Sequence, residues 1–396
     1  MIVDRNYALD YARAIMLCVG IPYHVACAYY IGGGWVVDSG QPSLLATLIT
    51  SSMHAFRMHG FFILSGFLAS MVLARRGVTI WIMDRARRLL MPAILATLVL
   101  GPICIYTQAY AHIPDAGRSM QRVSGAFFIG WDFHTWFLYT LFGYCLMLAA
   151  IRHVAFRAID QGLARLAEWR AWPPGWVAML AIMVFLTVWT MAPPAWQDLA
   201  GRNAFADYIY EWLLYLPLFL TGVLAQRSKA IAKLVFQPSM AGIRVGVACI
   251  AAYVACDLFQ KSGCAAGGRC TAPFLFVEDA VRAMSGLFGA CAFFGVIHRL
   301  SPKPHAAVSY LVSGSLVMYL FHLPAVMIAV YLFRFVDLPP IVEMAIINVI
   351  VMAFVVLVFE VVRRNRWLCL VFNGGQVRPE VNLRWIWRSN GSPLQA

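Results

Sequence analysis

Two polar residues inside the first apolar stretch are the strongest candidates for chemistry in this chain. They are Arg13 and His24, eleven positions apart within residues 12–25. At about 100° per residue, eleven steps return a helix to within ~20° of the same face. With a rise of ~1.5 Å per residue, the two side chains would stand about 16 Å apart along one side of the helix. Ionisable groups inside a bilayer are costly unless they face a cavity or a partner, so both are read as functional groups. A neutral imidazole accepts protons near physiological pH, whereas a guanidinium stays charged and binds anions.

Other polar residues interrupt later apolar stretches. His54 and Arg57 are at i, i+3 and share a helix face. They are either a structural site, with Arg57 in a buried ion pair or on backbone carbonyls, or the wall of a cavity around a polar substrate. Ser65-Gly66 suits close helix packing, and no base is paired with Ser65 to make it a nucleophile. The connection that follows carries Arg75, Arg76, Arg85, Arg87 and Arg88. Anionic headgroups account for part of that charge, and guanidinium forks equally suit a phosphate-rich cofactor. His134 and Trp136 open the fourth stretch beside Asp132; an interfacial aromatic belt explains the tryptophan better than the histidine. Asp207, Glu211, Glu278, Asp279 and Arg282 mark span ends, and Glu278 with Arg282 at i, i+4 reads as a helix pair. His322 lies deep in the ninth stretch, two residues before Pro324, which is expected to bend the helix. A lone buried histidine is usually a core residue; several on separate helices point to one site. No metal site is expected. Cys264 and Cys270 share a short outer loop, where a disulfide is allowed but not dictated.

The elements that must position these residues are membrane helices. The chain is 62% hydrophobic and only 12% charged, with a mean hydropathy of +0.73. Ten apolar spans are expected, near 10–30, 45–73, 89–107, 134–155, 175–192, 207–226, 242–259, 275–297, 308–332 and 341–362. Most of the 31 Lys and Arg residues fall between spans on one side. Only Arg118, Arg122, Arg202, Lys261, Arg269 and Arg334 fall on the other. This asymmetry places both termini in the cytoplasm and argues that the net charge of +13 anchors the protein rather than binding nucleic acid. The expectation is an all-α integral membrane protein of about ten helices. No cleavable signal peptide, separate soluble domain or internal repeat is expected.

In these residues the chain resembles the membrane acyltransferase-3 superfamily. The resemblance rests on Arg13 and His24 as its Arg-x10-His signature, on 54–58 and 61–67, on the Arg-rich loop before Pro92, and on 134–138 and 319–324. Residues 7–14, 20–24 and 41–44 are most similar to the glucans biosynthesis protein C group, whose members resemble succinyltransferases for periplasmic glucans. The resemblance implies a ten-helix acyltransferase-3 membrane domain over 1–362, a cytoplasmic tail over 363–396, and residence in a bacterial inner membrane. It implies an O-acyltransferase that moves an acyl group, succinyl before acetyl, from cytoplasmic acyl-CoA to hydroxyls of periplasmic glucan, with no permanently bound cofactor. His24 would be the general base or a transient acyl carrier, with Arg13 on the donor path. Arg57 would meet the oxyanion or the succinyl carboxylate, and Arg85 and Arg88 the CoA phosphates. His54, His134, Trp136, Glu278 and His322 are substrate-pocket candidates. The glycan acceptor and the lipid bilayer are the implied partners, together with a glucan synthase complex. Departures in the outer loops leave acetyl transfer to another extracytoplasmic glycan open. A transporter for a glycan or organic acid is the rival from a different class, and a non-catalytic scaffold is a third.

Overall fold

The computed structural model describes residues 7–112, 134–168, 185, 189, 204–261, 272–300 and 303–375. The helices are α1 Tyr7–Cys18, α2 Gly20–Cys27, α3 Leu44–His54, α4 Arg57–Leu73, α5 Val78–Arg85, α6 Met91–His112, α7 Trp136–Ala150 and α8 Arg152–Glu168. They continue with α9 Ala204–Arg227, α10 Lys229–Phe236, α11 Met240–Phe259, α12 Ala272–Arg299, α13 Ala306–Phe333, α14 Pro340–Arg364 and α15 Arg366–Asn373. A π-helical turn, Ala86–Leu90, joins α5 to α6. No strand occurs among the described residues.

Among the described residues six segments are long and apolar enough to cross a membrane, and this is a multi-pass membrane protein. They are Leu44–Leu73, Val78–Ala111, Met240–Phe259, Phe274–Arg299, Ala306–Phe333 and Pro340–Arg364. A seventh arises if α7 and the start of α8, bent by 80°, form one span. The expected span 10–30 corresponds to α1 and α2. Val19 between them keeps helical dihedrals, donates to the Ile15 carbonyl at 2.9 Å and accepts from the Tyr23 amide at 3.1 Å, while Pro22 leaves the Cys18 carbonyl without its i+4 amide donor. The expected span 207–226 corresponds to the 24-residue α9. Span 175–192, apart from Phe185 and Trp189, lies outside the described residues, as do Asp132, the Cys264–Cys270 pair and residues 1–6 and 376–396. The expected tail from 363 begins with the end of α14 and with α15. Asn365 Oδ1 caps α15 by accepting from the amides of Trp367 and Leu368, at 2.9 and 3.1 Å. This helix packs on α6, α13 and α14.

Two apolar clusters build the interior. One includes Met16, Phe62, Trp81, Tyr144, Phe219 and Leu320. The other includes Ile21, Val25, Leu323, Val326, Ile347 and Val351. Gly20 lies in sequence between Met16 and Ile21, and His322 between Leu320 and Leu323, so both sit at the seam. Helices α4 and α9 approach closely because Gly66 and Gly222 lack a Cβ: one on Gly66 would meet the Phe219 carbonyl, and one on Gly222 the Ile63 carbonyl.

Some polar groups inside the bundle find partners on neighbouring helices. Asp257 on α11 accepts from Ser51 Oγ at 2.5 Å and from Tyr30 at 3.0 Å, with Lys261 at 3.5 Å. Pro217 cannot donate to the Leu213 carbonyl one turn back, and that carbonyl accepts from Trp189 Nε1 at 2.7 Å. Gly222→Val should separate α4 from α9 and destabilise the protein by roughly 1–3 kcal/mol, the usual cost of overpacking. The thermal unfolding midpoint in detergent checks this; an unchanged midpoint would mean that the two backbones can part freely.

Candidate functional site

The site forms where α2 faces an interrupted span. Backbone hydrogen bonds run through Val19 between α1 and α2, whereas α3 and α4 are separated at Ala55-Phe56, where Phe56 has a φ of −135° and leaves the helical conformation. His54 is the last residue of α3 and Arg57 the first of α4, so their shared face is produced across a break rather than along one helix. Gly20 makes room for Arg57: a Cβ there would lie 2.8 Å from Arg57 Nη1. Non-helical backbone at such depth is tolerated where it is buried in protein or lines a cavity.

Arg57 is buried, with its Cζ 4.2 Å from the centre of the Tyr23 ring. Among the described residues no carboxylate pairs with it, and its Nε has no hydrogen-bond partner. The ion-pair reading of Arg57 therefore finds no partner there. A cation–π contact supplies ~2 kcal/mol when desolvated, whereas burying an ion costs several kcal/mol. The stack does not offset the burial, and no carboxylate among the described residues neutralises this guanidinium.

Tyr23 links two groups of imidazoles. Its hydroxyl lies 3.2 Å from His54 Nδ1, and its ring meets the His24 ring edge-on at 4.8 Å. On the His24 side, the rings of His24 and His322 are 5.1 Å apart and those of His322 and His134 are 5.7 Å apart. Trp35, from the loop after α2, stands 6.2 Å from His24. On the His54 side, Tyr253 stacks at 6.4 Å. The charge of Arg282 reaches both His54 and His59. Arg282 binds Glu278 at 2.8 Å, as the helix-pair reading expects. His59 fits because Gly286 has no Cβ to meet its ring. No group of three His, Cys, Asp or Glu side chains among the described residues is arranged to hold a metal.

The structure thus brings His24, Arg57, His54, His134 and His322 together, and adds Tyr23 and His59, which the sequence reading did not single out. Tyr23 carried the signal of adjacency to His24; His59 sits five residues after His54, off its helical face. Trp136 instead stacks on Tyr215 at 5.6 Å and abuts Phe62, inside a helix contact.

Arg13 lies at the other end of α1 and α2, where it feels the charges of Asp10 and Arg85. Asp84 collects Arg88 at 3.1 Å, Arg76 at 3.5 Å and Arg85 at 3.8 Å, leaving this end cationic. Arg87 and Arg88 occupy the π-helical turn, a distortion frequent at functional sites. Gly374, at φ +66°, follows α15 and packs against Arg88; a Cβ there would sit 2.7 Å from Arg88 Cγ. Along α1 and α2, about 16 Å separates this end from His24.

If Arg57 had a buried carboxylate partner, removing it would cost ~3–5 kcal/mol. Lacking one, Arg57→Met should leave the unfolding midpoint in detergent unchanged or raise it. A strong drop would reveal a structural ion pair.

The family model described as an acyltransferase domain matches residues 6–362. Curated relatives called glucans biosynthesis protein C are similar over most of the chain. Those from Escherichia coli SMS-3-5 / SECEC, O81 ED1a and O157:H7 EC4115 / EHEC are each 27% identical over 333 residues. The matches cover 81% of this chain and 82% of each relative. No solved structure matches.

Proposed function

The chain belongs to the acyltransferase-3 family, and from that premise we propose that it moves an acyl group from cytoplasmic acyl-CoA to a hydroxyl of a glucan outside the membrane. The carrying observation is the placement of a cationic end and a dry imidazole–guanidinium cluster along one path through α1 and α2. The Arg85–Arg88 end suits the phosphates of CoA. Arg13 lies beside it, where a pantetheine arm would start toward His24. A thioester carbonyl placed among His24, His322 and Arg57 would meet both nitrogen bases and a cation for its oxyanion. Such oxyanion stabilisation is worth ~3–4 kcal/mol. Acyl-CoA is a substrate in this reading, and no resident cofactor is invoked.

The relatives' name supports a glucan acceptor, and a glucan synthase is the proposed partner in the bacterial inner membrane. Succinyl-CoA is the proposed donor, because Arg57 offers an unpaired buried cation to the distal carboxylate. His24 belongs to the reacting centre. His24→Ala should lower turnover by ~10²–10⁴-fold in folded protein, measured by CoA release with a gluco-oligosaccharide acceptor. Turnover at the wild-type rate would remove His24 from the reaction.

Donor choice and donor binding separate in two further measurements. With equal succinyl- and acetyl-CoA, product mass should show mainly succinyl esters, and Arg57→Met should narrow that preference. Mainly acetyl esters from the wild type would reject the succinyl assignment and keep acyl transfer. Arg88→Ala should raise the KM for acyl-CoA more than it lowers kcat, as expected for a contact equal in ground and transition states. An unchanged KM would return Arg88 to membrane anchoring and its pair with Asp84.

A further inference from the structure

One interrupted turn of α13 fixes two imidazoles through two backbone carbonyls. Pro324 has no amide hydrogen, so the Leu320 carbonyl loses its i+4 donor. That carbonyl accepts instead from His134 Nε2 on α7, at 2.9 Å. One residue earlier, the Tyr319 carbonyl accepts from His322 Nδ1 at 2.6 Å. A carbonyl can only accept, so each of these nitrogens carries the hydrogen. In the neutral rings the lone pairs then sit on His134 Nδ1 and His322 Nε2. Both of those nitrogens are buried without a hydrogen-bond partner among the described residues. Both rings are themselves buried, His322 at 4% exposure.

Of the two, His322 is the one beside the reacting centre. Its ring is 5.1 Å from that of His24, and the charge of Arg57 reaches it. An active base in a catalytic arrangement is oriented by a third group. The Tyr319 carbonyl is such a group for His322, whereas the buried Nδ1 of His24 has no partner among the described residues.

We propose that His322, through Nε2, is the general base that takes the proton of the acceptor hydroxyl; this rests on the acyl-transfer reading above. The hydroxyl oxygen forms its bond to the thioester carbon as its proton passes to His322 Nε2. The carbon–sulfur bond breaks, its electron pair leaves on the CoA sulfur, and the proton on His322 goes to that thiolate to give free CoA. His24 is then a contact to the reacting groups rather than the destination of the proton. His134, pinned by the Leu320 carbonyl, presents a second bare nitrogen to the same space, suited to a neighbouring hydroxyl of a polyhydroxylated acceptor.

The test compares two nucleophiles on the same protein, in detergent, with succinyl-CoA as donor. A gluco-oligosaccharide hydroxyl must lose its proton during attack, while hydroxylamine attacks as a neutral amine without a base. His322→Gln should lower ester formation ~10²–10⁴-fold, the usual contribution of a general base, yet largely keep protein-dependent hydroxamate formation. His322→Ala, which removes the ring and leaves space where it stood, is the second variant, and added imidazole should restore part of its ester formation. Loss of both reactions in folded His322→Gln would make the residue structural and overturn the proposal. So would wild-type ester formation by either variant, a failure of imidazole to restore folded His322→Ala, or the nucleophile-selective loss appearing in His24→Gln instead. If the wild type forms neither ester nor hydroxamate, acyl transfer itself falls; if it forms both and only the His322 results fail, acyl transfer stands.

Discussion

A guanidinium buried without a counter-carboxylate among the described residues is the constraint around which this site is arranged. Burying Arg57 costs more than its stack on Tyr23 returns, so the surroundings must be shaped to keep it there. Gly20 gives it space that any Cβ would occupy. The break between α3 and α4 turns it toward α2. Tyr23 meets its face and carries the connection to His24 on one side and His54 on the other. Apolar clusters on both flanks exclude water, which strengthens any charge that Arg57 meets.

The same low dielectric explains how backbone irregularities are used. A carbonyl freed by proline inside a membrane helix must find another donor. Pro217 frees Leu213, which receives Trp189, and Pro324 frees Leu320, which receives His134. In the first case the device fastens one segment to another. In the second it sets which nitrogen of an imidazole carries the hydrogen, and so converts a packing requirement into chemistry. Pro22 lies two residues after Gly20, whose missing Cβ leaves room for Arg57.

The Arg-rich end and the His54 side differ in how far their charges are matched. At the Arg-rich end, one carboxylate, Asp84, is shared by three guanidinium groups, so the excess charge remains available to a polyanion. At the His54 side, Arg282 is matched closely by Glu278 and lies near Asp279, which removes most of the net charge. The helix α15, beyond the residues matched by the family model, reaches back so that Gly374 lies on Arg88.

The sequence by itself determined the membrane class and the family, and it singled out most of the candidate site residues, because an ionisable group in an apolar stretch stands out without any structure. Arg13, His24, Arg57, His134 and His322 were all visible in that way. Periodicity along single helices could not show that the span of His54–Arg57 is interrupted or that it meets the span of Arg13–His24 at Gly20. Nor could it separate Trp136, which packs on Tyr215, from the imidazoles, since an aromatic at a span end looks alike in either role. Tertiary structure decided that Arg57 lacks a carboxylate among the described residues, that Tyr23 and His59 join the site, and that His322 and His134 hold fixed tautomers. Apart from the His322–Tyr319 bond within α13, each of those depends on atoms from different segments, where neither spacing nor composition carries information about distance.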